Sequence, residues 1–279
     1  PRVAVGTRVN RITSIAGRQM ATTTLPGAFF PDEHALLVYG ALGGITSASL
    51  GSSCYSHICK YALTPPSFSL QRSAGVASKH EQLLGCGINQ FTIEWNSSED
   101  GGLLTFSAEL IGQLPTIPTS AVTFTNPTDV PLPSWAVLVT KDSVAKTASS
   151  VNNLISARFT VTNNVELVKP GVNSQTPTGI VFGEQAIEGE MVFLFDDYTE
   201  QEAYTGNTAS DWNLKFEGAI IGGAIKSTVM LDLSNVQYQA YEPQKLGSLL
   251  AQRVTLAGLW NVTDASALMI TIYNLTASY

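Results

Sequence analysis

Gln90-Phe91-Thr92-Ile93-Glu94-Trp95 and, further on, Leu104-Thr105-Phe106-Ser107-Ala108-Glu109-Leu110 alternate apolar and polar residues with a period of two. That period belongs to strands with one buried face, because successive side chains of extended backbone point to opposite sides. The intervening Asn96-Ser97-Ser98-Glu99-Asp100-Gly101-Gly102 carries an Asp-Gly turn signal, so the two strands are predicted to form a hairpin with a longer loop. The same alternation returns where Val229, Leu231 and Leu233 interleave with Met230, Asp232 and Ser234, and a last β-type run spans Ala267 to Asn274.

Only two segments read as helical. Pro31-Asp32-Glu33 opens an apolar stretch that stops at Gly43-Gly44, with acids at the start and glycine at the stop. Asp197 to Tyr204, ended by Gly206, is shorter. After each helix the order of elements repeats. Ser67-Phe68-Ser69-Leu70-Gln71-Arg72 corresponds to Trp212-Asn213-Leu214-Lys215-Phe216-Glu217, Leu84–Trp95 to Thr228–Ala240, and Leu104–Leu110 to Arg253–Leu259. The offset is close to half of the 279 residues. The expected organisation is therefore mainly β: an N-terminal arm (1–19), a first β domain (20–114), a Pro-rich linker (115–134) and a second β domain (135–279). Pro115, Pro118, Pro127, Pro131 and Pro133 mark the linker.

Composition narrows the function. Fifteen Lys+Arg against 22 Asp+Glu give a net charge of −7, and no basic run supplies the counterion release that drives nucleic-acid binding. No stretch approaches the roughly 18 apolar residues of a membrane span, and the N-terminus has no signal-peptide core, so a cytoplasmically made protein with no membrane partner is expected. Charged residues are only 13% of the chain, sparse for a solvated surface, which suggests that much surface is covered by further copies.

Chemistry is thinly represented. Cys54, His57 and Cys59, with His80 and Cys86 downstream, form the one metal-like pattern, but C-x2-H-x-C on a strand points its ligands to both faces. Buried thiols are the simpler reading, and no metal or cofactor is expected. His34, His57 and His80 are the available imidazoles; no Gly-x-Ser-x-Gly elbow accompanies them, and Ser56-His57 are sequence neighbours. Glu94 with Glu109 could imitate a glycosidase pair, yet solvated acids on a sheet face are commoner. The glycines at 40–44 and 85–87 lack the Lys-Ser/Thr of a phosphate loop. No catalytic residue is assigned, and no enzyme is expected.

The helix ending in Leu42-Gly43-Gly44, His57 ahead of Pro65-Pro66-Ser67-Phe68-Ser69-Leu70, Leu84-Gly85-Cys86-Gly87-Ile88-Asn89 and Gly101 to Gly112 follow one another in a distinctive order. Ala186 to Asp197 leading into the second helix, and the closing Ile270-Thr271-Ile272-Tyr273-Asn274, continue it. In this order, over Met20 to Tyr279, the chain resembles the tail tube proteins of long-tailed, siphovirus-like bacteriophages, in their duplicated-domain form. The opening residues and Cys54–Cys59 have no counterpart in that pattern.

The resemblance implies two tandem tube-type β-sandwich domains, each flanked by an α-helix. It further implies a structural virion protein of the tail that forms homotrimeric rings stacked into a tube for genome ejection. Tape measure, tail terminator and distal tail proteins would be its partners, and double-stranded DNA would pass without specific binding. Glu94, Glu109 and Asp232, each on the polar side of an alternating strand, are the lumen-facing candidates. The other reading is a β-sandwich carbohydrate-binding or adhesive module, against which Trp95, Trp212 and Trp260 sit in strand patterns that suggest packing.

Overall fold

The computed structural model describes residues 20–73, 80–97, 102–113, 116, 129–146, 154–169 and 175–279. The expected arm, most of the 115–134 linker and the Glu99-Asp100-Gly101 turn lie outside them. Strand β1 (Ala21–Ala28) leads into helix α1 (Pro31–Leu42) and the hairpin β2 (Gly43–Gly51) and β3 (Cys54–Tyr61). β4 (Phe68–Ser73), β5 (His80–Asn96) and β6 (Thr105–Gly112) follow. The small pair β7 (Val137–Lys141) and β8 (Val144–Lys146), then β9 (Leu154–Thr162), β10 (Glu166–Val168), β11 (Gly179–Val181) and β12 (Ala186–Leu194), precede helix α2 (Thr199–Thr205). The chain closes with β13 (Ser210–Gly222), β14 (Ile225–Leu246), β15 (Leu249–Gly258) and β16 (Met269–Asn274).

The local signals act as physics requires. Pro31 occupies the first turn of α1, where its missing N–H costs nothing, and Asp32 and Glu33 complement the helix dipole. Gly43 ends the helix at φ +93°, donating its N–H to Tyr39; a Cβ there would stand 2.8 Å from the Ala62 carbonyl oxygen. Gly206, by contrast, follows α2 with ordinary right-handed backbone, so its glycine freedom is not what stops that helix.

The repeat inferred from element order is present as a repeat of connectivity. In the first half a strand (β1), a helix (α1) and three further strands give the antiparallel order β1-β6-β5-β4, and α1 packs on β5. In the second half β12, α2 and β13–β15 give β12-β15-β14-β13, and α2 packs on β14. The β2–β3 hairpin is an insertion peculiar to the first half. It crosses into the second, where β3 pairs with β16. β9 joins the halves by pairing with β5 on one side and β12 on the other.

The resulting 14-stranded sheet is curled into two layers. One layer contains β1, β6, β9, β12, β15 and the C-terminal parts of β5 and β14. The other contains β13, β7, β8, β16, β3 and β2 around the N-terminal part of β14, with β4 on the N-terminal part of β5. The long strands β5 and β14, 17 and 22 residues, serve both layers. Between the layers Trp95 meets Phe216 at 6.1 Å between ring centroids and Phe193 meets Trp212 at 5.4 Å. One hydrophobic core includes residues of both halves, from Phe29, Phe91 and Phe106 to Trp212, Leu231 and Ile272. Each such side chain contributes about 1.5–3 kcal/mol by leaving water.

Candidate assembly and lumen surfaces

The solvent side of the first layer is a polar face whose members are fixed by register, giving way towards the β14–β15 turn to a small apolar cluster of Ile155, Val192 and Ala251 with Leu194. Glu94 stands opposite Thr105 and Arg158, Thr92 opposite Ser107 and Thr160, and Gln90 opposite Glu109 and Thr162. Across β9 and β12, Arg158 faces Glu190 and Thr160 faces Glu188; beyond them Glu190 faces Thr255, and Arg253 faces Glu242. The apolar alternates, among them Phe91, Ile93, Phe159, Met191 and Val254, point into the core. Among the described residues, this face carries five carboxylates (Glu94, Glu109, Glu188, Glu190, Glu242) against the guanidiniums of Arg158 and Arg253. Arg253 pairs with Glu190, and that bond together with the neighbouring charge of Glu242 raises its pKa further. Asn89 donates to the Glu109 carboxylate at 3.3 Å.

Two of the three sequence candidates, Glu94 and Glu109, therefore share one face. Asp232 does not. It lies on the N-terminal part of β14, opposite Asn213 and Met269, on the outer side of the other layer. There it sits beside Asp211 and Asp264. Desolvation first and then the Asp211 charge hold its carboxyl above the usual range, against a hydrogen bond from Ser234. Alternation on β14 identified a polar side correctly, but the strand changes layers between Asp232 and Glu242. Glu188, Glu190 and Glu242 were the acids that sequence reasoning missed. Their alternating positions on β12 and β14 were the available signal.

The second surface is made of edges. β1 pairs only with β6, leaving its other edge open among the described residues. In the first half, the β5 edge beyond β4 is taken by β9. The corresponding β14 edge, Gln237–Leu246 beyond β13, pairs with no strand among the described residues. Unpaired strand edges are templates for another chain. Pro26 and Pro243 occur in these two stretches, where proline is tolerated because one side of the strand is free.

The chemical candidates resolve into structure. His57 is fully buried, its Nδ1 accepting from Ser47 Oγ at 2.7 Å while Nε2 donates to Asn274 Oδ1 and to the Thr276 carbonyl at 3.0 and 2.8 Å. Ser56 turns its hydroxyl to the Ala48 carbonyl, so Ser56-His57 make no catalytic pair. Cys54, Cys59 and Cys86 are free and buried; burial pushes the Cys59 thiol up to about 12, which keeps it protonated and unreactive. No group of three or more His, Cys, Asp or Glu among the described residues is arranged to hold a metal. Trp95 and Trp212 are buried as expected, but Trp260 is not: it lies just past β15, 51% exposed, with its ring edge-on to Tyr61.

Comparison with protein-family models matches residues 4–254 to the family described as phage tail tube protein. The chain belongs to the phage tail tube protein family. No curated protein matches it. A tail tube protein is a structural component of the virion tail, and the mainly β, sandwich-like architecture, with sheet edges unpaired among the described residues, suits a subunit whose partner is itself. In this tail tube protein no helix among the described residues is long and apolar enough to cross a membrane.

Proposed function

We propose that three copies form a ring of six tube domains, and that rings stack into the wall of the channel through which the genome leaves. One observation carries this reading: two repeats whose connectivity matches apart from the β2–β3 insertion, with the β5 edge filled by β9 and the equivalent β14 edge open among the described residues. The contact between repeats inside one chain is a template for the contact between chains. Repeating it three times around an axis closes the edges that otherwise stay unpaired. Each half, 20–114 and 135–279, then stands for one tube domain, joined through residues 115–134.

The polar face of the first layer lines the channel in this reading. A duplex carrying one negative charge per ~1.7 Å passes most freely along a wall that offers it carboxylates, hydroxyls and amides rather than free cations. Arg253 is neutralised by Glu190, and Arg158 lies in register between Glu94 and Glu190. Asp232, on the other layer, drops out of the lumen set. The tube interior would accommodate a tape measure protein, and its ends would meet terminator and distal tail proteins. Mass measurement of isolated rings together with images of assembled tubes tests the proposal. Three chains per ring are expected; six chains per ring, each supplying one domain, would overturn it.

A further inference from the structure

The hairpin joining β14 to β15 has an apolar tip. Gly247 at φ +62° and Ser248 form its two-residue turn, with Leu246 directly opposite Leu249. Leu246, Leu249 and Leu250 are all exposed, and Lys245 stands beside them. Large apolar side chains grouped on a protruding turn cost solubility unless something covers them. At the other end of the same strand, past Ala257 and Gly258, lies an open hollow of about 610 Å³. Tyr61, Ile187 and Trp260 give it apolar walls, and Glu184 and Glu188 give it negative charge.

We infer that the tip of one copy seats in the hollow of a second copy stacked along the strand direction: Leu246, Leu249 and Leu250 lie against Tyr61, Ile187 and Trp260, and Lys245 meets Glu184 and Glu188. The occupant is a second copy for two reasons. The charges are complementary, a lysine on the tip against two carboxylates at the hollow. The two surfaces also sit at opposite ends of β15, so translation along the strand brings one onto the other, which is the heterologous geometry that builds an open filament. This assigns the residues that stack rings, and it rests on the tube reading above.

The test uses the full-length chain assembled into tubes. Leu249→Cys with Trp260→Cys places two thiols at ends of a strand about 30 Å long, far beyond the ~7 Å Cα separation a disulfide can bridge, so any bond between them joins different copies. Oxidised tubes of the double variant are expected to give a ladder of covalent multimers that neither single variant gives. Leu249→Asp/Leu250→Asp is expected to leave rings intact and abolish their stacking, with Lys245→Glu weakening it and Glu188→Lys added to Lys245→Glu restoring it. Tubes of unchanged length from the aspartate variant, or no ladder from folded double-cysteine tubes, would overturn the inference. So would a defect confined to tail ends, which would give the tip to another tail component. Wild-type protein that forms rings of the wrong composition, or no rings, overturns the tube reading instead.

Discussion

Lys141 Nζ lies 2.6 Å from Glu200 Oε2, with both side chains out of water, and the pair fastens α2 to β7 in the second layer. Tyr238 on β14 donates its hydroxyl to the same oxygen at 2.6 Å, and burial together with the Glu200 charge raises the phenol's pKa so that it stays a donor. The Lys141 ammonium also sits 5.4 and 5.5 Å from the Trp212 and Tyr238 ring centroids. Lys141→Met strands a carboxylate in the core and should cost roughly 3–5 kcal/mol, whereas Lys141→Met/Glu200→Met should recover most of that loss. Urea midpoints of the two variants measure the difference, and equal midpoints would show that the pair acts otherwise.

Acid should loosen α1 before it reaches the carboxylates. His34 packs among Phe29, Phe30 and Phe106, accepts the Phe30 N–H at Nδ1, and is lowered by desolvation from 6.5 to about 4. The folded state therefore resists the proton that the unfolded chain takes up, so stability is full above pH 6.5 and falls as pH drops from 6.5 towards 4. Integrated over that window the loss reaches at most about 3 kcal/mol, and the partly wet ring trims it to about 1–2 kcal/mol. Thermal unfolding of His34→Gln across the same window should show a flatter pH dependence than the wild type.

Charge reversal separates the two layers. Glu94→Lys/Glu242→Lys, which spares the hollow at Glu184 and Glu188, should change subunit stability by only about ±0.5 kcal/mol per site, since both are exposed. Tails built from this variant should form at normal length but release DNA slowly at low salt, recovering as ionic strength screens the new phosphate contacts. Asp232→Lys should leave release unchanged. An ejection defect from Asp232→Lys with none from the Glu94/Glu242 variant would reverse the assignment of the faces.

Gly189 lies on β12 between Phe159 and Leu256, and a Cβ there would meet those side chains at 2.7 and 2.8 Å. Gly189→Val overpacks the sandwich and should cost about 1–3 kcal/mol. A denaturant midpoint equal to that of the wild type would mean that the layers yield more easily than their packing implies.

How far the sequence revealed this molecule follows from what alternation can encode. Period two located the buried faces of β5, β6 and β14, and capping chemistry at Pro31 and Gly43 located α1. The order of elements carried the repeat, because connectivity survives where residue identity does not. Alternation cannot say which of two layers a long strand occupies. β14 also shifts register around Val236 and between Tyr238 and Ala240, so Asp232 and Glu242 end on opposite sides of the molecule. The pairing of β3 with β16, more than 200 residues apart, left no local trace. Neither did the role of β9, whose two partners come from different halves of the chain.

The two long hairpins occupy equivalent places in the repeats but end in different chemistry. Leu246-Gly247-Ser248-Leu249-Leu250 is greasy, and Asn96 to Gly102 is acidic and hydrophilic. The two repeats thus share connectivity but not surface chemistry, so the ring of three chains proposed above would look six-fold in its backbone trace yet only three-fold in its surface. Successive rings could then lock at rotations of one third of a turn but not of one sixth. Such a tube would carry a rotational key, copied from ring to ring, that a polymer of single-domain subunits has no means to write.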